Sequence, residues 1–339
     1  MTAPRADAPR IYYLTPDYPA PSWGQGLLYE HVRLLREEGF DARVLHQRAP
    51  FRLPWLDSAV PIAYLEGGAE GPPAAGPDDL LVVPENLIAK TAALPWAGRR
   101  GVFVQGSFLT LVGHSQAFRY PELGVDFALA VLPHVAEVVT KHFGIVPTVV
   151  PPLVAPYFFR TPEEIRAAPR DRVVLLVCKE DYRHAGFPDY DIFVKLMRRF
   201  CGELGGGWRV EELVDMAHHE VARQMAESAF LVNLNSHEAF NSTVPEAMAA
   251  GCPVLCYEAV GGRDFLAGGE NAFVFANHHV YELVEQLQRL MARGAAAPEL
   301  LAMRLAARAT AGRFTAEATR RALAEAFTTL LAPRPMALG

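Results

Sequence analysis

Two glutamates that lie close together in the sequence are its most informative candidates for binding a ligand. Glu238 and Glu246 are separated by seven residues within the stretch HEAFNSTVPEAMAAGCPVLCY, residues 237–257. An apolar run precedes the stretch and predicts a buried strand, whereas the residues from about Val244 onward predict a helix. Because Gly251 begins a Gly-Cys-Pro that is typical of a helix end, both carboxylates belong to one strand–loop–helix junction.

This junction has a structural and a functional interpretation. In the first, Thr243 is an N-cap and forms a capping box with Glu246, while Pro245 occupies the first helical turn. In the second, the N–H groups of residues 241–244 and the helix dipole bind a phosphate. Glu246 then accepts hydrogen bonds from a vicinal diol such as ribose, and Glu238 lies near other hydroxyls. Carboxylates beside a phosphate site favour a sugar nucleotide over a plain nucleotide.

Strands and helices alternate along the chain, which is typical of α/β domains with parallel sheets. The run IYYL from Ile11 predicts a first strand, residues 15–26 a Pro/Gly loop, and residues 27–38 a helix with leucines at helical spacing. Further helices are predicted near residues 85–93 and 133–143. Because ligands of such sheets collect at the carboxyl ends of strands, the loop between the two glutamates is a candidate site.

The length of 339 residues predicts two domains, since it exceeds what one ordinary core accommodates. A proline-rich stretch around residues 147–152 interrupts the alternation and predicts a boundary. We therefore expect two doubly wound, Rossmann-like domains. The predicted divisions are a disordered tail at 1–10, an N-terminal domain at 11–150, a linker at 151–165, a second domain at 166–315 and a C-terminal helix at 316–339.

Charge and composition argue against several classes of partner and location. The net charge of -6 lacks the basic field of a nucleic-acid binder. The N-terminus has no apolar core like that of a signal peptide, and no window is apolar for long enough to span a membrane. We expect a cytoplasmic protein, and composition leaves contact with a membrane surface open. The four cysteines are few and unevenly spread, which indicates reduced thiols, and no His/Asp/Glu cluster is spaced for a metal.

The stretch around the two glutamates resembles a family signature. Its residues EAFNSTVPEAMAAGCPV look like the Glu-x7-Glu signature of the family 4 retaining glycosyltransferases, including its Glu-Ala-Met-Ala and Gly-x-Pro-Val. GWRVEEL, HHEVARQMAES and YEAVGGRDF are similar to the branch that includes rhamnosyltransferases of surface polysaccharide assembly, and DLLVVPE and GVFVQGSF extend the likeness more loosely. The resemblance implies the GT-B fold: two Rossmann-like domains facing each other across a cleft, with C-terminal helices crossing back.

The resemblance implies roles for the residues of the second domain. Glu246 would bind the ribose of the donor, and Glu238 would contact the transferred sugar near its anomeric carbon. The amides of Asn241, Ser242 and Thr243 would hold the diphosphate or the sugar hydroxyls. The family usually has glycine where this chain has Asn241. Because asparagine tolerates left-handed backbone angles, we expect the loop to keep its shape.

A second donor contact is implied by the stretch VCKEDYRHAGF. The family places two basic residues here, which offset the charge that builds up on the leaving diphosphate. Lys179 matches the first position. We assign Arg183 to the second and keep the neighbouring His184, which falls on the family's own position, as the alternative donor-binding residue.

In the first domain, Gly24, Gln25 and Gly26 lie where the family has a glycine-rich turn. This position implies a phosphate or acceptor loop, since glycines let a ligand approach the backbone closely. A merely flexible turn is the alternative. Gln105 stands where many relatives carry a histidine of the catalytic site, and it retains the capacity to hydrogen-bond a sugar.

These residues predict a retaining hexosyltransferase that uses a nucleoside diphosphate sugar, needs no metal and has no other cofactor. The acceptor would be a hydroxyl of a glycan or a small molecule. Two alternatives stay open. The chain could be a degenerate GT-B protein that binds a sugar nucleotide or a partner protein without activity. It could also be a nucleotide-sugar epimerase on the same fold, which would need an additional acid/base pair near the sugar.

Overall fold

The chain divides into two compact units. Unit 1 comprises Met1–Leu153 with Ala316–Gly339, and unit 2 comprises Val154–Thr315. The computed structural model describes residues 8–69, 71–106, 108–112, 114–168, 170–177, 188–214, 216–294 and 297–332.

Each unit is built on its own sheet. The strands of unit 1 are β1 Arg10–Leu14, β2 Asp41–Arg48, β3 Ile62–Glu66, β4 Leu80–Pro84, β5 Arg99–Val104, β6 Phe127–Ala130 and β7 Thr148–Val149. The strands of unit 2 are β8 Asp171–Val177, β9 Arg209–Leu213, β10 Ser228–Asn233, β11 Val254–Tyr257 and β12 Phe273–Phe275.

The α-helices cover these sheets. In chain order they are α1 Trp23–Glu37, α2 Pro133–Val138, α3 Pro162–Ala167, α4 Pro188–Leu204, α5 His218–Glu227, α6 Thr243–Ala249, α7 Val280–Arg293, α8 Pro298–Ala311 and α9 Ala316–Leu331.

The strands of unit 1 within the described residues run parallel in the order β3-β2-β1-β4-β5-β6-β7. The strand order reverses direction between β1 and β4, which is where ligands of doubly wound sheets collect. β4 is buried along its whole length, as expected for a parallel strand covered on both faces. The last helix, α9, belongs to this unit and packs against α1.

Two local predictions in unit 1 are wrong. α1 begins at Trp23, four residues earlier than predicted, because the Gly26 amide already donates to the Ser22 carbonyl at 3.0 Å. The predicted helix near residues 85–93 is a series of turns, in which bonds such as Leu87 N–H to Pro84 O close after three residues instead of four. The predicted helix at 133–143 is confirmed as α2 with a wider continuing turn.

Unit 2 holds, within its described residues, five parallel strands in the order β12-β11-β10-β8-β9. β10 is buried at every position, and its apolar side chains share a core with α4 and α7. α7 contributes its apolar stripe, including Leu283 and Leu287, since these positions fall on one helical face. The predicted α/β architecture of parallel sheets covered by helices is therefore confirmed.

A buried arginine, Arg304, and a partly buried one, Arg170, anchor the end of α6 in unit 2. The Gly251 carbonyl accepts a hydrogen bond from Arg304 Nε at 2.9 Å and one from Arg170 Nη2 at 2.7 Å. Both cations lie at the negative end of the helix dipole. Arg304 comes from α8, so it also fixes α8 against α6.

Candidate functional site

Three asparagines shape the loop between the two glutamates. Asn233 ends β10, and its Nδ2 donates to Asn241 Oδ1 at 2.9 Å, while its Oδ1 accepts from the Asn235 amide at 2.9 Å. Asn235 Oδ1 in turn accepts from the amides of His237 and Glu238 at 2.8 and 2.9 Å. The loop is therefore held by side chains from its own ends, without a regular backbone ladder.

A second loop presses against the residues beside Glu238. The Gly261 amide donates to the Glu238 carbonyl at 3.4 Å. A Cβ atom at Gly261 would lie 1.1 Å from the carbonyl oxygen of Ala239, so only glycine permits this approach. Phe240 is buried against Phe265 and Phe314, which fixes the apolar side of the same loop. These contacts set the backbone that carries Glu238.

Asn241 has a left-handed backbone with φ of 50°. The sequence-based expectation that asparagine keeps the loop shape at this position is consistent with that angle. Its carbonyl accepts from the Val244 amide at 2.9 Å, which closes the turn into α6. Among the described residues, the amides of Asn241 and Ser242 donate no hydrogen bond, so both are open to a ligand.

Glu246 does not form the capping box of the structural interpretation. The N-cap of α6 is Ser242, without a side-chain cap bond, and Thr243 is the first helical residue. The Glu246 side chain is only 6% exposed and accepts from His218 Nε2 at 3.0 Å through Oε1. No described residue donates to Oε2. A buried carboxylate with one unoccupied oxygen is therefore available to a hydroxyl donor.

His218 is a residue of this site that the sequence reasoning missed. It begins α5, and its Nδ1 lies 2.6 Å from the Tyr157 hydroxyl, so Tyr157, His218 and Glu246 form one hydrogen-bonded chain. Burial alone would lower the pKa of His218, but the hydrogen bond to Glu246 and its charge together raise that pKa above its usual value. A histidine at a helix start has no sequence signal that points to a carboxylate 28 positions away.

A small cleft of about 20 Å³ opens at the carboxyl ends of β8 and β10. Asp189, in its lining, is buried at the start of α4 and accepts from the Tyr257 hydroxyl at 2.9 Å and from His278 Nδ1 at 2.8 Å. Asp189 and Asp191 stand in Asp-x-Asp order, but no group of three or more potential metal ligands comes together among the described residues. Asp189 therefore orients neighbouring side chains of this edge.

The predicted diphosphate contacts Lys179, Arg183 and His184 lie outside the described residues. Their segment directly follows β8, whose end lines the same cleft as Asn235 and His237. Their assignment stays a prediction.

In unit 1 the structure brings two of the predicted residues together. Gln105 follows β5, and its Nε2 donates to the Gly24 carbonyl at 3.3 Å. A Cβ atom at Gly24 would lie 2.8 Å from Gln105 Oε1, so a larger residue at this position would displace the Gln105 side chain. Gln25 is buried and donates to the Pro16 carbonyl at 2.7 Å, whereas Gly26 faces the Trp55 ring. Gly24, Gln25 and Gly26 lie in the first turn of α1 and do not form a separate loop.

A buried carboxylate that the sequence reasoning missed supports Gln105. Glu85 follows β4, is 2% exposed, and accepts through Oε1 from the amides of Gln105 and Gly106 at 3.0 and 2.8 Å. Burial raises the pKa of Glu85 to about 7, although the two amides oppose the shift. The carboxyl ends of β4 and β5 are thereby tied together beside Gly24.

Solved structures of other proteins share the fold of this chain. Sucrose-phosphate synthase from Thermosynechococcus elongatus has a TM-score of 0.70 at 14% identity, covering 96% of this chain and 99% of that one. Anabaena HepE in complex with UDP-glucose has a TM-score of 0.65 at 15% identity, covering 94% and 99%. A mutant of S. aureus TarM in complex with fondaparinux, α-GlcNAc-glycerol and UDP has a TM-score of 0.56 at 10% identity. It covers 76% of this chain, which spans 56% of the TarM chain. The chain has the GT-B fold of these proteins.

The sequence match is narrower and lies in unit 2. Residues 163–293 match the family model described as glycosyl transferases group 1. This range contains the asparagine-held loop, His218 and both glutamates. A search of curated proteins gave no match. Among the described residues, no helix is long and apolar enough to cross a membrane.

Proposed function

We propose that the protein is a retaining glycosyltransferase that moves a hexosyl group from a nucleoside diphosphate sugar to a hydroxyl of a glycan or a small molecule. The observation that carries the proposal is Glu246, a buried carboxylate whose Oε2 has no donor among the described residues. It stands one turn beyond two open amides, within the range that matches glycosyl transferases group 1.

The open groups suit the parts of a sugar nucleotide. Oε2 of Glu246 accepts from a ribose hydroxyl, because an ionised carboxylate can only accept. The amides of Asn241 and Ser242, with Thr243 beside them, donate to the anionic diphosphate or to sugar hydroxyls. Glu238 lies at the other end of the loop and contacts the transferred sugar near its anomeric carbon.

The transfer step needs little from the protein beyond positioning and charge. The bond between the anomeric carbon and the diphosphate oxygen breaks while the acceptor oxygen bonds to the same face of that carbon. The acceptor's proton passes to the leaving diphosphate, since the motifs supply no evident general base. Lys179 and Arg183 offset the charge that develops on the diphosphate, so we expect transfer without a metal.

Several finer assignments belong to the same proposal. The resemblance of the second half to the branch that includes rhamnosyltransferases supports a role in surface polysaccharide assembly. The residues Gly24, Gln25, Gly26 and Gln105 of unit 1 are the proposed acceptor or phosphate contacts, supported by the Gln105–Gly24 hydrogen bond. The alternatives are an inactive GT-B binding protein and an epimerase.

A donor screen tests the proposal. The protein is mixed with UDP-, GDP-, ADP- and dTDP-sugars, with and without EDTA, while binding is measured by calorimetry and sugar release by chromatography. We expect one nucleotide class to bind, and Glu246→Ala to abolish that binding while the protein stays folded. Glu285→Ala, on the exposed face of α7, is the matched control.

The outcomes separate the candidates. Absence of binding by every sugar nucleotide contradicts the whole proposal. Binding without release or transfer supports the inactive binding protein, and release of an epimerised sugar nucleotide supports the epimerase. Loss of turnover with EDTA contradicts the metal-independent step alone.

A further inference from the structure

Glu246, the carboxylate proposed to bind the ribose, is hydrogen-bonded to the partly exposed His218. His218 Nε2 lies 3.0 Å from Glu246 Oε1, and the His218 side chain is 50% exposed, whereas that of Glu246 is 6% exposed. One side of the pair therefore faces water while the other faces the buried end of α6. Phe158 packs against the His218 ring with centroids 4.8 Å apart, which holds the ring in this orientation.

The hydrogen-bonded chain is satisfied in both protonation states of His218. The ionised Glu246 can only accept, so Nε2 carries a proton whenever the bond is made. In neutral His218, Nδ1 accepts from the Tyr157 hydroxyl at 2.6 Å. In the imidazolium, Nδ1 donates to the same hydroxyl oxygen. The geometry is thus preserved while the charge of the pair changes from -1 to zero.

Within the described part of the chain, two packed elements contribute groups that contact His218. The 3₁₀ turn Pro156–Phe158 contributes the Tyr157 hydroxyl and the Phe158 ring, and α6 contributes Glu246. On α5 itself, His219 and Glu220 follow in sequence, and Glu220 is paired with Arg223. Glu246 is the anion within hydrogen-bonding distance of the ring.

We propose that His218 is a positioning residue of the donor site, which fixes Glu246 so that Oε2 meets a ribose hydroxyl and which, when protonated, compensates the carboxylate's charge beside the bound diphosphate. The inference rests on the proposed function of this loop. Without a cation, the buried Glu246 would repel a dianionic ligand in a medium of low dielectric constant. His218 removes that repulsion, so donor binding strengthens as pH falls.

Calorimetric titration between pH 5.5 and 8.5 tests this role. UDP-glucose, ADP-glucose and GDP-mannose serve as probes, because their diphosphates carry no group that titrates in this range. The wild type should bind the accepted probe more tightly at low pH. The gain is about tenfold if ligand binding raises the His218 pKa by one unit.

Three variants separate positioning from general structure. His218→Gln keeps a donor toward Glu246 but cannot become charged, so it should lose the gain at low pH. His218→Ala should also lose discrimination between the probe and its 2′-deoxyribose counterpart, since Glu246 is no longer held. His219→Gln, the adjacent exposed position on α5, is the matched control and should behave as the wild type.

The failures of the two proposals are distinguishable. If the wild type binds no sugar nucleotide of the donor screen, the proposed function fails and the role of His218 fails with it. If the wild type binds, but His218→Gln retains the pH dependence or His218→Ala retains the ribose preference, the role of His218 alone is overturned.

Discussion

Asn241 performs two tasks, and a glycine at the same position would perform only one of them. Its φ of 50° lies in the left-handed region, where asparagine is tolerated better than most residues. Its side chain also accepts from Asn233 Nδ2 in a buried bond of 2.9 Å. Asparagine at position 241 therefore preserves the left-handed backbone that glycine would allow and adds a link between the loop and the end of β10.

A pair of substitutions at Asn241 separates these tasks. Asn241→Gly loses only the side-chain bond, which leaves a buried donor unsatisfied at a cost of about 1–3 kcal/mol. Asn241→Ala loses the same bond and adds left-handed strain of roughly 1–2 kcal/mol. In urea unfolding, the free energy of unfolding should be highest for the wild type, lower for Asn241→Gly and lowest for Asn241→Ala. Equal stability of the two variants would contradict the strain.

Glu85 predicts a pH dependence of stability in unit 1. Its folded pKa of about 7 lies above the usual glutamate value of 4.5, so the folded state holds the proton more tightly. The stabilisation is complete below about pH 4.5 and is lost as pH rises through 7. Glu85→Gln keeps an acceptor for the Gln105 and Gly106 amides but does not titrate. The variant should therefore show a smaller decrease in the free energy of unfolding as pH rises, and this decrease amounts to about 3 kcal/mol at most in the wild type.

Denaturant unfolding at pH values from 4.5 to 8 measures this effect. Glu66→Gln, at an exposed position of the same unit, is the control and should keep the wild-type profile. A Glu85→Gln profile parallel to that of the wild type would show that Glu85 does not titrate in this range.

At the scale of elements, the site depends on contacts between loops as much as on helices. α6 is short, and its two ends are fixed from outside: Asn233 holds the entry through Asn241, and Arg304 holds the exit through Gly251. The loop that contains Gly261 closes over Ala239 from the next strand connection. Several elements of unit 2 thus position one pair of glutamates.

The Gly261 contact gives an element-scale prediction. Gly261→Ala places a methyl group where the Ala239 carbonyl stands, so the two loops must separate and the backbone at Glu238 must shift. We expect turnover to fall at least tenfold with a smaller change in nucleotide affinity, measured by steady-state kinetics and calorimetry. Gly268→Ala has ordinary contacts, the nearest at 3.7 Å, and should retain activity. Full activity of Gly261→Ala would contradict the clamp.

At the scale of the molecule, each unit has its own parallel sheet and core. Ligand binding to one unit stabilises the residues that it contacts, by mass action. A bound sugar nucleotide should slow hydrogen exchange at residues 234–242 and at the start of α5. The strands β1 and β4 of unit 1 should be unaffected. Protection confined to unit 1 would contradict the assignment of the donor site.

The α/β architecture could be predicted from the sequence, but the hydrogen-bonded pairs of residues distant in sequence could not. Periodic apolar runs predicted the α/β class, because burial on both faces of a parallel sheet leaves a strong local pattern. The chemistry around Glu246 could not be predicted in this way. A local capping box was the simplest partner for its carboxylate, and the actual partner, His218, comes from another helix. Likewise, local propensity favoured a helix near residues 85–93, where turns beside the buried Glu85 formed instead.

The bond between Asn233 and Asn241 also constrains how this loop can change over generations. Replacing Asn241 alone leaves a buried amide of Asn233 without its acceptor, whereas replacing Asn233 alone removes an acceptor that orders Asn235. The two positions are therefore epistatic: each tolerates a change more readily once the other has changed. A homologue that carries asparagine at both positions is expected to keep both, and one that has glycine at 241 is expected to differ at 233 as well.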